Sequence, residues 1–102
     1  MQREPRIPID RRRIAEFCRK WQITEFALFG SVLRDDFRPD GDVDVLVSFS
    51  PESHWSLLDV VGMIEDWKMM FGRDVDLVEK EAIRNPFRRQ SILGDNEVLY
   101  AA

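Results

Sequence analysis

Apolar residues recur along this chain with two different periods, and each period predicts one kind of element. Apolar residues spaced every three or four positions predict helical segments over residues 11–21, 55–71 and 82–93. Short apolar runs rich in valine, leucine and phenylalanine predict strands over residues 25–29, 42–49, 73–78 and 97–100. One or two helical turns are expected over residues 31–36, and residues 37–41 are expected to form a loop.

Local signals define the ends of the predicted helices. Asp10 is a plausible N-cap, and Gly72 is a natural helix stop. Pro86 either starts a second helix within residues 82–93 or kinks the first one. The first helix is expected to bury Ile14, Phe17, Cys18 and Trp21. The apolar stripe of the long helix comprises Leu57, Leu58, Val61, Ile64, Trp67 and Met70 or Phe71.

This order of elements predicts an α/β or α+β fold, in which helices flank a small mixed sheet of three to four strands. A chain of 102 residues is short enough that one domain over residues 1–102 is the expectation. Apolar residues make up 44% of the chain and aromatic residues 11%, which is enough for one core and unlike a disordered segment.

Composition also limits the classes of function. No apolar run approaches the roughly 20 residues of a membrane span, and no signal-peptide core follows the basic N-terminus, so a cytoplasmic protein is expected. The net charge of −4 argues against a general nucleic-acid binder. Cys18 has no second cysteine to pair with, and its position in a helical apolar stripe favours core packing over reactivity.

Candidate chemistry is concentrated between Phe29 and Val47. Gly30 and Ser31 follow an apolar strand and begin a helical turn, where free backbone N–H groups attract phosphate oxygens. Arg34 lies three residues after Ser31 on the same helical face and is able to pair with a phosphate or a carboxylate. These features predict a site for phosphate groups.

Two aspartates one residue apart open the next strand. Asp42 and Asp44 point to the same face because side chains alternate along a strand, and two carboxylates this close are tolerated readily when a divalent cation lies between them. Asp76 on another strand is expected to complete the set. We favour it over Asp74 because Val75 and Leu77 flank it, whereas Asp74 lies at the entrance of the strand. Magnesium suits such a set, since it prefers a few carboxylates, water and phosphate oxygens.

The chain resembles the minimal nucleotidyltransferases, a branch of the DNA polymerase beta-like nucleotidyltransferase superfamily, in Gly30, Ser31, Arg34, Asp42, Asp44 and Asp76. The resemblance runs from about Ile23 to the C-terminus. It implies the nucleotidyltransferase fold and transfer of a nucleoside monophosphate from a triphosphate, such as ATP, to an acceptor hydroxyl. It also implies that the Gly-Ser turn binds nucleotide phosphates, that the three aspartates bind two magnesium ions, and that Asp76 activates the attacking hydroxyl.

Small members of this family are often paired with a helical HEPN-domain toxin, usually an RNase. The resemblance therefore implies an antitoxin, and in some members neutralisation proceeds by adenylylation of the toxin. Two positions depart from the family pattern: Asp35 stands where a glycine is usual, and Gly41 stands where a serine is usual. Both departures favour an alternative, in which a degenerate copy neutralises its partner by contact alone. A transferase acting on a small molecule or on RNA is a third interpretation.

Two further segments have two interpretations each. Residues 67–71 are apolar nearly all round, so they are either core or a surface for a partner or a second copy of the chain. Phe87, Arg88 and Arg89 lie either near the nucleotide or on a solvated surface.

Overall fold

A single four-stranded sheet forms the centre of the protein, in a computed structural model that describes residue 7 and residues 9–33 and 41–102. The strand order is β3-β2-β1-β4. β1 pairs antiparallel with both β2 and β4, whereas β2 and β3 are parallel, so the sheet is mixed as predicted. The strands are β1 (Ile23–Phe29), β2 (Val43–Phe49), β3 (Val75–Glu79) and β4 (Asn96–Ala101).

Three α-helices connect and cover the strands: α1 (Arg11–Lys20), α2 (Leu57–Phe71) and α3 (Pro86–Gly94). Two short 3-10 helices follow β1 and β3, over Gly30–Leu33 and Lys80–Ala82. α2 makes the crossover that the parallel pair β2 and β3 requires. None of the helices among the described residues has the length and apolar character needed to cross a bilayer.

Side chains at the helix starts explain the helix boundaries. Asp10 caps α1, where its Oδ1 accepts a hydrogen bond from the N–H of Arg13 at 3.1 Å. Ser56 and Asp59 form a capping box at the start of α2, which therefore begins after the predicted position 55. Pro86 occupies the first position of α3, where its missing N–H has no intrahelical partner to lose. The alternative in which Pro86 starts a second helix is the one observed.

The larger core lies on the face of the sheet that α1 and α2 cover. Trp67 of α2 is fully buried there and stacks on Phe26 with ring centroids 4.5 Å apart. Ile14 and Cys18 of α1 are buried in the same cluster, as predicted. Because side chains alternate along each strand, Val43, Val45 and Val47 face this core and the residues between them face away from it.

A smaller apolar cluster covers part of the other face of the sheet. Ala27, Phe29 and Leu46 contribute the strand side chains, and Ile92 from α3 packs against them together with Ile83. α3 therefore lies on the face of the sheet opposite α1 and α2.

The first half of the apolar stripe of α2 is exposed to solvent. Leu57 and Leu58 are exposed at 79% and 82%, and Val61 is exposed at 48%. The helix instead buries Met63 and Trp67, which lie four residues apart on the helical face that packs against the sheet.

Of the two interpretations of residues 67–71, core packing is the one that fits most of the segment. Trp67 is buried, and Met70 and Phe71 pack against the larger cluster. Met69, exposed at 83%, is the member that faces solvent. This segment therefore gives no basis for a contact surface of several residues.

Candidate active site

A tight turn at Gly30 joins β1 to the short 3-10 helix. Gly30 has φ +77°, a left-handed conformation that glycine adopts without strain. A Cβ added at this position would overlap Oδ2 of Asp44 and lie 3.3 Å from its Cγ. The turn therefore needs glycine both for its left-handed backbone and for the close contact between that backbone and the side chain of Asp44.

Asp44 is the second residue of β2 and lies at the centre of this arrangement. It pairs with Phe29 on β1 and with Asp76 on β3. Its neighbours Val43 and Val45 face the larger core, so Asp44 points to the opposite face of the sheet, the face that α3 covers. The side chain is half-buried.

Asp76 is the cross-strand neighbour of Asp44. Residues in register on adjacent strands lie roughly 5 Å apart and project to the same face, so the two carboxylates form a pair of like charges. Asp76 is exposed, as befits a side chain at the outer strand of the sheet.

Asp74 has a different environment. It precedes β3, is exposed, and forms an ion pair with Nζ of Lys68 at 3.4 Å. Attraction from Glu65 and a hydrogen bond to Asp74 both raise the pKa of Lys68 above its usual value. Asp74 thus takes part in a surface charge network on α2, and Asp76 is the one placed beside Asp44.

Asp42 lies just outside β2, which begins at Val43 and not at Asp42 as predicted. Strand alternation therefore does not fix the direction of the Asp42 side chain, which is exposed. Among the residues that the structure describes, no three His, Cys, Asp or Glu side chains form a group able to hold a metal ion. The strand register brings Asp44 and Asp76 side by side, whereas Asp42 precedes the strand.

The predicted phosphate-binding residues are only partly described. Gly30 and Ser31 open the 3-10 helix, as expected for a turn directly after a strand. Val32 and Leu33 are buried and hold that helix against the core. Arg34 and Asp35 lie outside the described residues.

A cavity of about 190 Å³ adjoins the Gly30 turn. Phe29 and Gly30 from the end of β1 line it, together with residues of α3 and its C-cap: Arg88, Ser91, Ile92 and Asp95. Arg88 is the one residue of the segment 87–89 that lines this cavity. Phe87 is 82% exposed. The side chain of Arg89 donates a hydrogen bond to the carbonyl oxygen of Lys80 at 3.1 Å. Asn85 and Pro86 mark the start of α3 in the sequence, but they do not determine how α3 lies across the sheet.

A larger cavity, about 490 Å³ in volume, lies at the opposite ends of β2 and β3. Phe49, Trp55 and Glu79 are among its lining residues, and none of the predicted site residues lines it. The acidic pair and the turn at Gly30 therefore define the candidate site, even though the roomier cavity is elsewhere.

The donor set at this site fits a hard divalent cation. Asp44 and Asp76 offer carboxylate oxygens from adjacent strands, and magnesium commonly takes one or two carboxylates and completes its shell with water and phosphate oxygens. The close approach of Gly30 to Asp44 leaves the backbone of the turn beside the same carboxylate. A phosphate held at the turn would therefore lie within reach of a cation bound by the acidic pair.

Comparison with known proteins agrees with this arrangement. Residues 11–98 match the family described as nucleotidyltransferase domain. The protein adenylyltransferase MntA of Thermococcus cleftensis is 32% identical over 85 residues, which cover 83% of this chain and 81% of the relative.

Solved structures share the fold. A crystal structure of a toxin–antitoxin with AMP-PNP superposes with a TM-score of 0.72 at 17% identity, covering 92% of this chain and 75% of the other. A Shewanella oneidensis structure, of a tri-AMPylated HEPN toxin in complex with an MNT antitoxin, gives a TM-score of 0.63 at 16% identity and covers 90% and 70% of the two chains. At these identities the likeness shows the fold alone.

Proposed function

The chain belongs to the nucleotidyltransferase domain family, and on this premise we propose that it transfers AMP from ATP to a hydroxyl group of a partner protein. We propose further that this partner is a HEPN-type RNase toxin and that the transfer neutralises it. The observation that carries the proposal is the Asp44–Asp76 pair on neighbouring strands beside the Gly30 turn.

The relatives support the acceptor and the partner. The Thermococcus relative is named a protein adenylyltransferase, and it matches most of this chain. Two structures of the same fold are toxin–antitoxin complexes, one with AMP-PNP and one with an AMPylated HEPN toxin. A protein hydroxyl is therefore the acceptor class that we assign, and ATP is the donor.

In the proposed reaction, the acceptor oxygen attacks the α-phosphorus of ATP. The bond from that phosphorus to the bridging oxygen of the β-phosphate breaks, and pyrophosphate leaves with the bonding electron pair. Asp76 accepts the proton of the attacking hydroxyl. Asp44 and Asp76, with Asp42 as a third ligand, would hold two magnesium ions, whose charge offsets that of the phosphates. Gly30 and Ser31 position the phosphate tail.

Radiolabelled ATP tests the proposal. The native protein with Mg²⁺ and its co-expressed toxin should transfer label to the toxin, and Asp42→Asn with Asp44→Asn should abolish the transfer. Glu65→Gln with Asp66→Asn removes the same number of charges from α2, at the surface ion pairs with Lys68 and Lys20, and should leave transfer near the native level. Transfer by the Asp42/Asp44 variant would refute the assigned roles.

Neutralisation by contact alone is the second candidate function. Asp35 and Gly41 depart from the family pattern, and Asp42 is not gathered with Asp44 and Asp76 into a metal-binding group among the described residues. This function predicts that the Asp42/Asp44 variant still suppresses the RNase activity of the toxin. The enzymatic function predicts that suppression is lost together with transfer.

A further inference from the structure

Arg88 places a positive charge in the cavity beside the Gly30 turn. Its side chain lines that cavity with Gly30 and Phe29, the residues at which β1 ends. Phe29 is also the β1 partner of Asp44 in the sheet. Arg88 and Asp44 therefore both adjoin the end of β1 and the turn that follows it.

The structure fixes the position of Arg88 on α3. The N-terminus of the helix is capped by Asn85, whose side-chain oxygen accepts from the N–H groups of Phe87 and Arg88 at 2.9 and 3.1 Å. Ile92, one turn further along, is buried in the smaller apolar cluster. Arg88 thus extends from a helix that is held at both its start and its buried face.

Two neighbouring basic side chains, those of Lys80 and Arg89, have partners within the protein. Nζ of Lys80 forms an ion pair with Glu25 at 3.0 Å, and Arg89 donates to the carbonyl oxygen of Lys80. The guanidinium of Arg88 makes no hydrogen bond or ion pair with any residue that the structure describes. Arg88 is exposed, so its five N–H donors are available to a ligand.

Charge balance explains why such a group is needed. ATP carries several negative charges on its phosphates, and the site already contains the carboxylates of Asp44 and Asp76. A fixed guanidinium offsets part of this repulsion and matches the geometry of phosphate oxygens, to which arginine binds through two parallel hydrogen bonds. Ser91 lies three residues after Arg88 on the same helical face and offers a hydroxyl to the same group.

We propose that Arg88, assisted by Ser91, binds the phosphate tail of the nucleotide in the cavity between α3 and the Gly30 turn. This inference rests on the proposed nucleotidyltransferase function. The cavity, at about 190 Å³, is smaller than the roughly 300–1,000 Å³ of whole ligand sites, so it takes only part of a nucleotide. The acidic residue Asp95, the C-cap of α3, lies roughly 10 Å further along the helix axis than Arg88. We therefore place the phosphate groups at the end of the cavity that Arg88 lines.

The test compares Arg88→Ala with the native protein in binding to Mg²⁺-ATP and to tripolyphosphate, a phosphate chain without a nucleoside. Arg84→Ala is the matched control, because Arg84 is exposed, precedes α3 and does not line the cavity. Arg88→Ala should weaken both ligands by roughly tenfold or more, as expected for lost hydrogen bonds to a charged group. Arg88→Lys should recover part of the loss, and Arg84→Ala should bind like the native protein.

Each other outcome overturns the inference in a recognisable way. If Arg88→Ala binds both ligands as Arg84→Ala does, Arg88 does not contact the nucleotide, and the proposed function stands. If Arg88→Ala weakens ATP but not tripolyphosphate, Arg88 contacts the nucleoside and not the phosphate tail. If the native protein binds neither ligand, the proposed function fails together with this inference. Circular dichroism of each variant separates a lost contact from a lost fold.

Discussion

The backbone of Gly30 lies against the carboxylate of Asp44, with no room for a side chain between them. This contact joins the turn after β1 to the acidic residue on β2, and it depends on the absence of a Cβ. The sheet brings the two residues together because Asp44 is in register with Phe29, the residue before the turn. The turn that we propose binds phosphate thus lies directly beside the acidic residue.

Gly30→Ala should therefore impair both stability and activity. A left-handed φ costs a non-glycine residue roughly 1–3 kcal/mol, and the methyl group would also push the Asp44 carboxylate from its position. We expect the free energy of unfolding to fall by at least this amount and AMP transfer to fall far more than the folded fraction does. Urea denaturation and a transfer assay on the folded protein measure the two effects.

Gly62→Ala is the control for this substitution. Gly62 lies inside α2, and nothing is within 4 Å of a Cβ added there. Replacing a helical glycine by alanine should stabilise the protein by about 0.5–1 kcal/mol and leave transfer unchanged. Equal effects of the two substitutions would contradict the close-approach account of Gly30.

Asp76 and Asp74 provide a second pair of matched substitutions. Asp76→Asn removes the carboxylate beside Asp44, so we expect AMP transfer to fall by roughly 100-fold to 10,000-fold, the usual range for loss of a proton acceptor. Asp74→Asn removes a surface partner of Lys68 and should leave transfer close to native. Initial rates at saturating ATP and Mg²⁺ decide between them, and a larger loss in Asp74→Asn would reverse our assignment.

The positions of the helices and strands could be predicted from the sequence because local signals and packing agree. Pro86 was compatible with a helix start or a kink, and the structure begins α3 there, after the N-cap Asn85. The alternation of Asp44 with Val43 and Val45 set the face of the acidic residue before any pairing was known. The mixed sheet followed from the same patterns, and it is confirmed.

The parts that sequence did not determine depend on pairing and orientation. Whether Asp74 or Asp76 lies beside Asp44 depends on the register of β2 with β3, and parity alone treats the two alike. Which apolar side chains of α2 are buried depends on how the helix packs against the sheet, so spacing alone placed the exposed Leu57 in the same apolar stripe as the buried Trp67. The contribution of Arg88 depends on how α3 lies across the sheet, which no local pattern encodes.

Trp67 is the largest of the fully buried side chains in the larger core. Its ring stacks on Phe26 and contacts Phe17 and Phe71, with centroid distances of 4.5, 4.8 and 5.9 Å. Trp67→Ala should lower the free energy of unfolding by about 3–5 kcal/mol, because it deletes a large aromatic side chain from a packed core. Chemical denaturation followed by circular dichroism measures the change.

Trp67→Phe should cost clearly less than Trp67→Ala. The Nε1 of Trp67 is buried without a hydrogen-bond partner among the described residues, so phenylalanine keeps aromatic packing and removes an unsatisfied donor. Met69→Ala, at a position 83% exposed on the same helix, should change the free energy of unfolding by no more than about 0.5 kcal/mol. A large cost for Met69→Ala would mean that this surface is covered in solution.

Cys18 gives a prediction on pH. Burial raises the pKa of its thiol to about 12 from an ordinary value of 9.0, although Arg19 opposes the shift. Because the folded state holds this proton more tightly than the unfolded state, the stabilisation is fully present below about pH 9 and is lost progressively as pH rises from there toward 12.

At pH 8 the native thiol should react with a disulfide reagent much more slowly than the thiol in urea, since the thiolate is the reactive form. Unfolding midpoints between pH 8 and 10.5 should fall more steeply for the native protein than for Cys18→Ala, which has no thiol to titrate. Parallel curves for the two proteins would show that Cys18 does not hold its proton in the fold.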